Sequence, residues 1–251
     1  METYSYTLIA KEAVFLAIDI SKKYLIDSKI ISYLDKDIKT MADIEMNEVI
    51  IARLSLTNIP IISEEKSNNS WSSKGYYWIV DPLDGTLNFS RGFGCYSISI
   101  SLWKDKSPVL SIVYDLYQNR LYISEKNKGS RLDDLLIQVS STKFVKDAIL
   151  ATGFPSGSNY QDDILSSLVT KIQQFKKVRA IGSASLMLAY VASGVFDVYY
   201  EKDIYLWDVA AGLGLISEAG GVFELKKTCE FKYEVLACNK YLFSECKKIL
   251  N

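Results

Sequence analysis

The sequence predicts an α+β protein in which mixed β-sheets are layered with helices. Apolar residues recur at helical spacing over about residues 3–27, and an alternating, β-like pattern runs from Cys95 to about Glu125. Strand and helix patterns then alternate through the second half of the chain. Such a mixture buries the apolar faces of its sheets against helices, which makes a layered architecture the natural one.

The first half is predicted to start with two helices. The apolar face of the first helix is expected to consist of Ile9, Ala13, Leu16, Ala17, Ile20 and Tyr24. A second periodic segment follows Asp43 and runs to about Leu56, and aspartate is a favoured N-cap. Residues 59–63 are typical of a short buried strand. The strands between Cys95 and Ile123 are expected to offer apolar surface for contact with a second copy of the chain.

The second half is predicted to alternate strands and helices. The predicted elements are a strand at 148–152, a helix at about 162–175, a strand around Val178, a helix within 184–193, a strand at 195–200, a helix at about 206–219, and a strand and a helix after Tyr233. We expect an N-terminal αβ half (residues 1–145) and a C-terminal αβ half (residues 146–251). The two should pack as a single unit, because no long linker separates them.

Charge and hydropathy limit the function classes. The 251 residues contain 29 basic and 30 acidic side chains, so the net charge of −1 favours neither nucleic acid nor an anionic membrane as a partner. The N-terminus lacks the basic start of a secretory signal, and the longest uncharged run, residues 180–196, is short for a membrane span. A cytoplasmic protein is therefore expected.

The four cysteines point to the same compartment. None of them has metal-ligand spacing such as C-x-x-C, which predicts reduced thiols. A disulfide among Cys229, Cys238 and Cys246 is the alternative that the sequence leaves open.

The absence of histidine excludes much catalytic chemistry. Neither a Ser-His-Asp nor a Cys-His arrangement can form, and histidine-ligated zinc and histidine phosphotransfer are excluded as well. Catalysis must therefore use carboxylates, hydroxyls, lysines or a bound metal. Oxygen-only ligand sets suit Mg²⁺ first, and Mn²⁺ or Ca²⁺ next.

The stretch YWIVDPLDGT combines a buried strand with two acids. Residues 78–80 have the apolar character of a core strand, and Asp81 and Asp84 follow at its carboxyl end, where ligands tend to bind in α/β sheets. A buried, unpaired charge costs several kcal/mol. A positive group is therefore expected between these two carboxylates.

Other acids lie at comparable positions. Glu64 and Glu65 end the preceding strand, and Asp208 begins an apolar helix. Each acid also has a purely structural explanation. The two glutamates are explained as solvated loop charges, Asp84 as a turn residue before Gly85, and Asp208 as a first-turn acid favoured by the helix dipole.

Seven sequence blocks together resemble the inositol monophosphatase family. They are DIKTMAD (37–43), SEE (63–65), WIVDPLDGTLNF (78–89), ATGFP (151–155), IGSAS (181–185), DVYYE (197–201) and WDVAAGLGLISEAGG (207–221). Their order and spacing match over nearly the whole chain. The resemblance implies a layered αβαβα sandwich, the sugar phosphatase fold, together with a Mg²⁺-dependent phosphomonoesterase activity and a homodimer.

The resemblance also implies a metal site. One Mg²⁺ would be bound by Glu64, Asp81 and the backbone carbonyl of Leu83, and a second by Asp81, Asp84 and Asp208. A weaker third ion is expected near Glu64, and Mn²⁺ is a plausible substitute. Two such metals ionise a water molecule and neutralise the leaving oxygen of a phosphate ester.

Catalytic roles follow from the same motifs. Glu64, Thr86 and Asp43 would be catalytic, with the Thr86 hydroxyl bound to the nucleophilic water and itself oriented by Asp43. Gly85 and Thr86 would bind the phosphate, because glycine lets the backbone approach it and the amides of the following helix point at it. Asp43 has an alternative role as the N-cap of a helix. This role is compatible with the orientation of Thr86.

Substrate contacts are implied at Asp84, Ser183, Ala184, Glu201 and Asp208. The segment LNFSRGFGCYSISISL looks most like archaeal enzymes that hydrolyse both inositol-1-phosphate and fructose-1,6-bisphosphate. The alternatives are a 3'(2'),5'-bisphosphate nucleotidase and a family member that binds phosphorylated ligands without catalysis.

A bisphosphate substrate needs a cation for its second phosphate. Arg91 and Arg179 are the candidates, since guanidinium groups bind phosphate in a bidentate manner. The alternative for each is a surface or structural arginine.

Overall fold

Five alternating layers of helices and sheets make up the protein. The structure, a computed structural model, describes residues 2–24, 30–34, 37–65, 74–154 and 162–250. Within these residues the chain forms a seven-stranded sheet, a five-stranded sheet and a two-stranded hairpin. The α+β class and the αβαβα layering predicted from the sequence are confirmed.

Helices are interspersed among the strands along the whole described chain. The first half contains α1 (Glu2–Tyr24), β1 (Ile30–Leu34), β2 (Asp37–Thr40), α2 (Met41–Leu54), β3 (Ile61–Ser63), β4 (Tyr76–Asp84), α3 (Thr86–Ser90), β5 (Ser97–Lys104), β6 (Ser107–Asp115), β7 (Arg120–Glu125), β8 (Gly129–Leu132) and β9 (Leu135–Ile137). The second half contains β10 (Ile149–Ala151), α4 (Asp162–Ile172), β11 (Lys177–Arg179), α5 (Ala184–Ala192), β12 (Val198–Tyr205), α6 (Leu206–Glu218), β13 (Gly221–Lys227), β14 (Lys232–Asn239) and α7 (Phe243–Leu250).

The seven-stranded sheet is buried on both faces. Its strands run in the order β3 to β9, with β3 parallel to β4 and every later neighbour antiparallel. Trp78 and Val80 of β4 face the core formed with α1 and α2, whereas Tyr77 and Ile79 face α5 and α6. This burial on two sides explains why the start of YWIVDPLDGT is apolar without interruption.

Most apolar side chains of the strands from Cys95 to Ile123 are buried within the chain. Ile98, Ile100 and Leu102 are fully buried under α1 and α2. The alternating serines of β5 are buried too, because they face α6. Ser99 donates to the Trp207 carbonyl at 3.3 Å. Tyr117, between β6 and β7, is 61% exposed, and contact of this region with a second copy of the chain stays a prediction.

The five-stranded sheet carries the second half of the layering. Its order is β11, β10, β12, β14, β13, with β11, β10 and β12 parallel and β14 antiparallel to both its neighbours. Tyr199 faces α5 and α6, whereas Val198 and Tyr200 pack in the core that includes α7. The two helices α5 and α6 therefore lie between the sheets, and α4 and α7 cover the outer face.

Two local predictions for the first helices are corrected. Leu16 of α1 is 47% exposed, whereas Ala10 and Val14 are buried, because apolar residues surround α1 and its small residues pack against the core. Asp43 is not the N-cap of α2. The helix begins at Met41 with Thr40 as N-cap, and Asp43 is its third residue.

The remaining expectations about the chain have mixed outcomes. All four cysteines are free thiols, as the first of the two alternatives predicted. No helix in the described residues combines the length and apolar character that a bilayer crossing requires. The division into halves at residue 145 stays a prediction.

Candidate active site

A sharp turn after β4 aims the acids of YWIVDPLDGT into a cavity of about 240 Å³. Gly85 has φ of 87°, and a Cβ there would lie 2.8 Å from the Cys95 carbonyl oxygen. Glycine is required at this position for both reasons. The turn lets Asp84 end the strand and Thr86 start α3 within three residues.

The cavity gathers carboxylates from four separate parts of the chain. The acids that line it are Glu64, Asp81, Asp84, Glu201 and Asp208. The other predicted site residues in the lining are Leu83, Gly85, Thr86, Ser183 and Ala184. All the residues predicted to bind metal, phosphate or sugar hydroxyls therefore lie together, apart from the two arginines.

Asp81 and Asp208 are crowded by other acids. Asp81 is 1% exposed, and one of its carboxylate oxygens accepts a hydrogen bond from the Leu83 amide at 3.0 Å. Burial, and then the charges of Glu64 and Asp84, raise the pKa of Asp81 well above its usual range. Burial and the same two carboxylates also raise the pKa of Asp208. These acids carry full charge only if a cation joins them.

Asp84 is oriented by the start of α5. Its Oδ2 accepts hydrogen bonds from the Ser183 hydroxyl at 2.7 Å, the Ser185 amide at 2.8 Å and the Ser185 hydroxyl at 2.5 Å. Burial raises the pKa of Asp84 although these hydrogen bonds oppose the shift. Ser185 belongs to the IGSAS block, but its role could not be assigned without the contact to Asp84.

Asn88 fixes the turn that carries these serines. Its Nδ2 donates to the carbonyls of Cys95 and Ile181, both at 2.8 Å. This side chain connects α3 to the segment before Ser183. The Asn88 amide group, like the contacts of Asp84, therefore holds the start of α5 against the turn that follows β4.

Glu201 lies on the side of the cavity formed by the five-stranded sheet. It is 4% exposed, and burial, followed by the charge of Asp84, raises its pKa to about 8. A Cβ at Gly153 would collide with Glu201 Oε1, so this carboxyl explains the glycine of ATGFP. The buried hydroxyl of Tyr199, on the same face of β12, interacts with Glu201 and opposes the shift of its pKa.

Thr86 and Asp43 form a connected pair. The Thr86 hydroxyl lies 2.9 Å from Asp43 Oδ1 and 3.0 Å from the Leu83 carbonyl. The other oxygen of Asp43 accepts from the Thr40 amide at 2.7 Å and the Thr40 hydroxyl at 2.5 Å. Burial raises the pKa of Asp43 to about 6, although these hydrogen bonds oppose the shift. Asp43 thus stabilises the start of α2 and orients Thr86 at the same time.

The chemistry of the donors suits a hard divalent cation. Every acidic group in the lining offers carboxylate oxygens, and burial with repulsion by neighbouring carboxylates makes Asp81 and Asp208 reluctant to ionise alone. Within the described residues, no three acidic or thiol side chains are already grouped as a metal site. Some of these carboxylate oxygens accept hydrogen bonds from protein groups, as at Asp81 and Asp84, and those bonds fix their orientation.

Arg91 and Arg179 lie outside the cavity lining. Arg179 is exposed and donates to the carbonyl of its neighbour Val178 at 3.0 Å, and Arg91 is exposed at the end of α3. Their role toward a second phosphate stays a prediction. The described lining contains five acids and neither lysine nor arginine.

Several lining residues were given no role from the sequence. Leu87, Phe154, Ile204 and Tyr205 form what we call the apolar rim of the cavity, and two of them are largely exposed, Leu87 at 50% and Phe154 at 55%. Exposed apolar side chains in loops are common, so only their position beside the acids distinguishes them.

Comparisons with known proteins match this chain to a family and to solved structures of the same fold. The inositol monophosphatase family matches residues 3–244. A solved structure of an inositol monophosphatase from Anabaena superposes with a TM-score of 0.85 and 26% identity, covering 100% of this chain and 96% of that one.

Three curated relatives differ in their names. An inositol-1-monophosphatase from Rhizobium meliloti is 39% identical over 64% of this chain and 60% of its own length, which is less than two thirds of that relative. A fructose-1,6-bisphosphatase/inositol-1-monophosphatase from Aquifex aeolicus is 32% identical over 84% of this chain and 78% of that protein. A Nus factor SuhB from Haemophilus influenzae is 34% identical over 81% of this chain and 72% of that protein.

Proposed function

Because the chain belongs to the inositol monophosphatase family, whose members are phosphatases, we propose that it hydrolyses phosphate monoesters of small sugars and polyols with Mg²⁺. One observation carries the proposal. Five carboxylates, of which Asp81, Asp84 and Glu201 are buried and the other two half-buried, line a single cavity beside the hydroxyl of Thr86, which is itself bound to Asp43. Inositol-1-phosphate and fructose-1,6-bisphosphate are the proposed substrates, and the names of the Rhizobium and Aquifex relatives support them.

The metal ligands proposed are Glu64, Asp81, the Leu83 carbonyl, Asp84 and Asp208. Bound there, two or three Mg²⁺ ions, or Mn²⁺ as a substitute, would supply positive charge and Lewis acidity to the phosphate. The raised pKa values of Asp81 and Asp208 support this assignment, since a cation relieves the repulsion that causes them.

The protein's own groups would orient the reacting water. Asp43 accepts the hydrogen of the Thr86 hydroxyl, which leaves the lone pairs of that oxygen free to accept a hydrogen bond from the water. The water is then held with a lone pair directed at phosphorus. This contact is expected to strengthen as the water loses its proton, which makes it a transition-state interaction.

The substrate would be held by groups around the phosphate. The Gly85 turn lets the backbone approach the phosphate without a Cβ in the way. Glu201 and Asp208 would accept hydrogen bonds from sugar hydroxyls, and Ser183 and Ala184 would contact the ring from the start of α5. Polyols fit this lining, because their hydroxyl groups would donate hydrogen bonds to its carboxylate oxygens.

An assay of phosphate release tests the proposal. Activity on inositol-1-phosphate that requires Mg²⁺ and disappears with EDTA is expected, with activity on fructose-1,6-bisphosphate beside it. Higher kcat/KM on 3'-phosphoadenosine-5'-phosphate than on both would favour a bisphosphate nucleotidase instead. Absence of turnover on all three, with the folded protein still binding them, would indicate a non-catalytic member.

We also propose a cytoplasmic homodimer. Most apolar side chains of the strands first expected to form the contact are buried, so the candidates include exposed apolar residues such as Leu8 and Phe15 of α1, exposed by 51% and 54%. A monomer in light scattering at micromolar concentration would contradict the dimer.

A further inference from the structure

The charge of the cavity lining leaves a second anionic group of a substrate without a partner. Metal ions at the acidic floor would serve the phosphate that is hydrolysed. The described lining offers no lysine or arginine for another phosphate, and the two predicted arginines are exposed outside it. A bisphosphate therefore needs a cation that reaches the cavity from its rim.

A lysine lies against one residue of the apolar rim. The Lys232 ammonium is positioned over the ring of Tyr205, 4.6 Å from its centroid. Tyr205 and Lys232 are partners in the antiparallel register of β12 and β14. Because adjacent strands hold these residues directly opposite each other, the sheet places the base of the Lys232 side chain beside Tyr205.

The Tyr205 ring stacks on a second aromatic ring. Trp207 lies parallel to it, with a centroid distance of 4.7 Å and an interplanar angle of 7°. Tyr205 itself lines the cavity, so the Lys232 ammonium over its ring lies next to a residue of the lining.

We propose that Lys232 binds the distal phosphate, or another distal anionic group, of a substrate whose first phosphate is held at the acidic floor. This inference rests on the phosphatase function proposed above and names the specificity residue for its bisphosphate substrate. The flexible four-carbon stem of lysine lets the ammonium move from the ring to an anion, and contact with a partly exposed ring is weaker than pairing with a phosphate.

Steady-state kinetics on two substrates test the assignment. The variant Lys232→Gln should lower kcat/KM for fructose-1,6-bisphosphate by about tenfold, since a charge-assisted hydrogen bond to phosphate is lost. The same constant for inositol-1-phosphate, which has no second phosphate, should change less than twofold. Lys232→Arg, which keeps the positive charge, should keep most of the activity on the bisphosphate.

Matched variants supply the controls. Lys226→Gln removes a lysine of the neighbouring strand that pairs with Glu234 at 3.5 Å and does not contact the lining, and it should leave both substrates unaffected. Arg91→Gln and Arg179→Gln test the rival candidates. A selective loss on the bisphosphate in either arginine variant, with Lys232→Gln unchanged, would overturn the assignment.

The remaining outcomes also separate the two proposals. Equal losses on both substrates in Lys232→Gln overturn the specificity role and leave the phosphatase function standing. If the wild type hydrolyses inositol-1-phosphate, but fructose-1,6-bisphosphate is neither hydrolysed nor a competitive inhibitor, the inference about Lys232 fails alone. If no phosphate ester is hydrolysed, the proposed function fails, and the inference fails with it.

Discussion

Two buried polar clusters lie at opposite ends of the parallel strands β10 and β12. The carboxyl ends border the acidic cavity with Glu201, and the amino ends border a cluster built from Asp197, Ser140 and Asn239. Both contain a buried carboxylate and neighbouring hydroxyl or amide groups. They differ in whether those groups satisfy one another.

The cluster at the amino ends is complete. Asp197 accepts from the Ser140 hydroxyl at 2.6 Å through one oxygen and from the Ile149 amide at 2.7 Å through the other. Asn239 donates to the carbonyls of Ser140 and Thr142 and accepts from the amides that follow it. A cluster with every group paired stabilises the fold and offers nothing to a ligand.

The cluster at the carboxyl ends is incomplete. Burial and the charges of neighbouring carboxylates raise the pKa values of Asp81, Glu201 and Asp208. The difference teaches how to separate structural from functional acids. A buried carboxylate with protein donors on both oxygens supports the fold, whereas carboxylates left facing each other await a cation.

The largest effect is expected from removing one carboxylate of the cavity. Asp84→Asn should lower Mg²⁺-dependent turnover by about a thousandfold or more, because a proposed metal ligand and its charge are lost. The melting temperature of the metal-free protein should stay the same or rise, since repulsion with Asp81 and Asp208 is relieved. Phosphate release and calorimetry check both parts. Near-normal turnover would refute the metal assignment.

The next effect concerns Asp43, whose two oxygens accept hydrogen bonds from Thr40 and from Thr86, a residue of the cavity lining. Thr86→Ala and Asp43→Asn should each lower kcat by about a hundredfold with little change in KM, because the contact with water matters mainly in the transition state. The double variant should be hardly worse than the worse single one. Multiplicative losses would show that Asp43 and Thr86 do not act as a unit, and an unchanged kcat in Asp43→Asn would show that Asp43 serves only the start of α2.

A matched substitution at the cluster around Asp197 should lower stability and leave turnover nearly unchanged, which is the opposite of the expectation for Asp84→Asn. Asp197→Ala leaves the Ile149 amide and the Ser140 hydroxyl without their acceptor, so the free energy of unfolding should fall by about 2–3 kcal/mol. The kcat of the folded variant should remain within twofold of the wild type. Urea unfolding combined with kinetics decides this, and a large loss of kcat at unchanged stability would remove the contrast between the clusters.

The smallest effect is the pH dependence of stability without metal. A carboxyl whose pKa is higher in the folded than in the unfolded state binds protons on folding, so stability is greatest at low pH and is lost as pH rises through the folded pKa. Glu201, with a pKa of about 8 against an ordinary 4.5, should by itself make the protein about 2 kcal/mol more stable at pH 6 than at pH 8.

Unfolding in urea with EDTA at pH 6 and pH 8 measures that difference. Saturating Mg²⁺ should raise stability most at pH 8, since protons no longer compete there with the cation. A stability that instead rises with pH in EDTA would mean that these acids are not crowded in the metal-free protein.

Much of the candidate site was determined by the sequence alone. The lack of histidine, the run from Trp78 to Thr86 and the block around Asp208 were sufficient to predict carboxylate chemistry and the layered fold. These features are local. A strand end, a glycine turn or a helix start is specified by residues within a few positions of one another, so it can be recognised from the sequence.

The tertiary structure decided which of those groups meet and how their hydrogen-bonding capacity is used. Asp84 and Ser185 are about a hundred positions apart, and only the packing of α5 against β4 brings the serine to the carboxylate. Packing likewise chose the buried face of α1 and placed Lys232 over Tyr205 across a strand pair. Local periodicity carries no information on such long-range contacts, because they depend on how whole helices and sheets fit together.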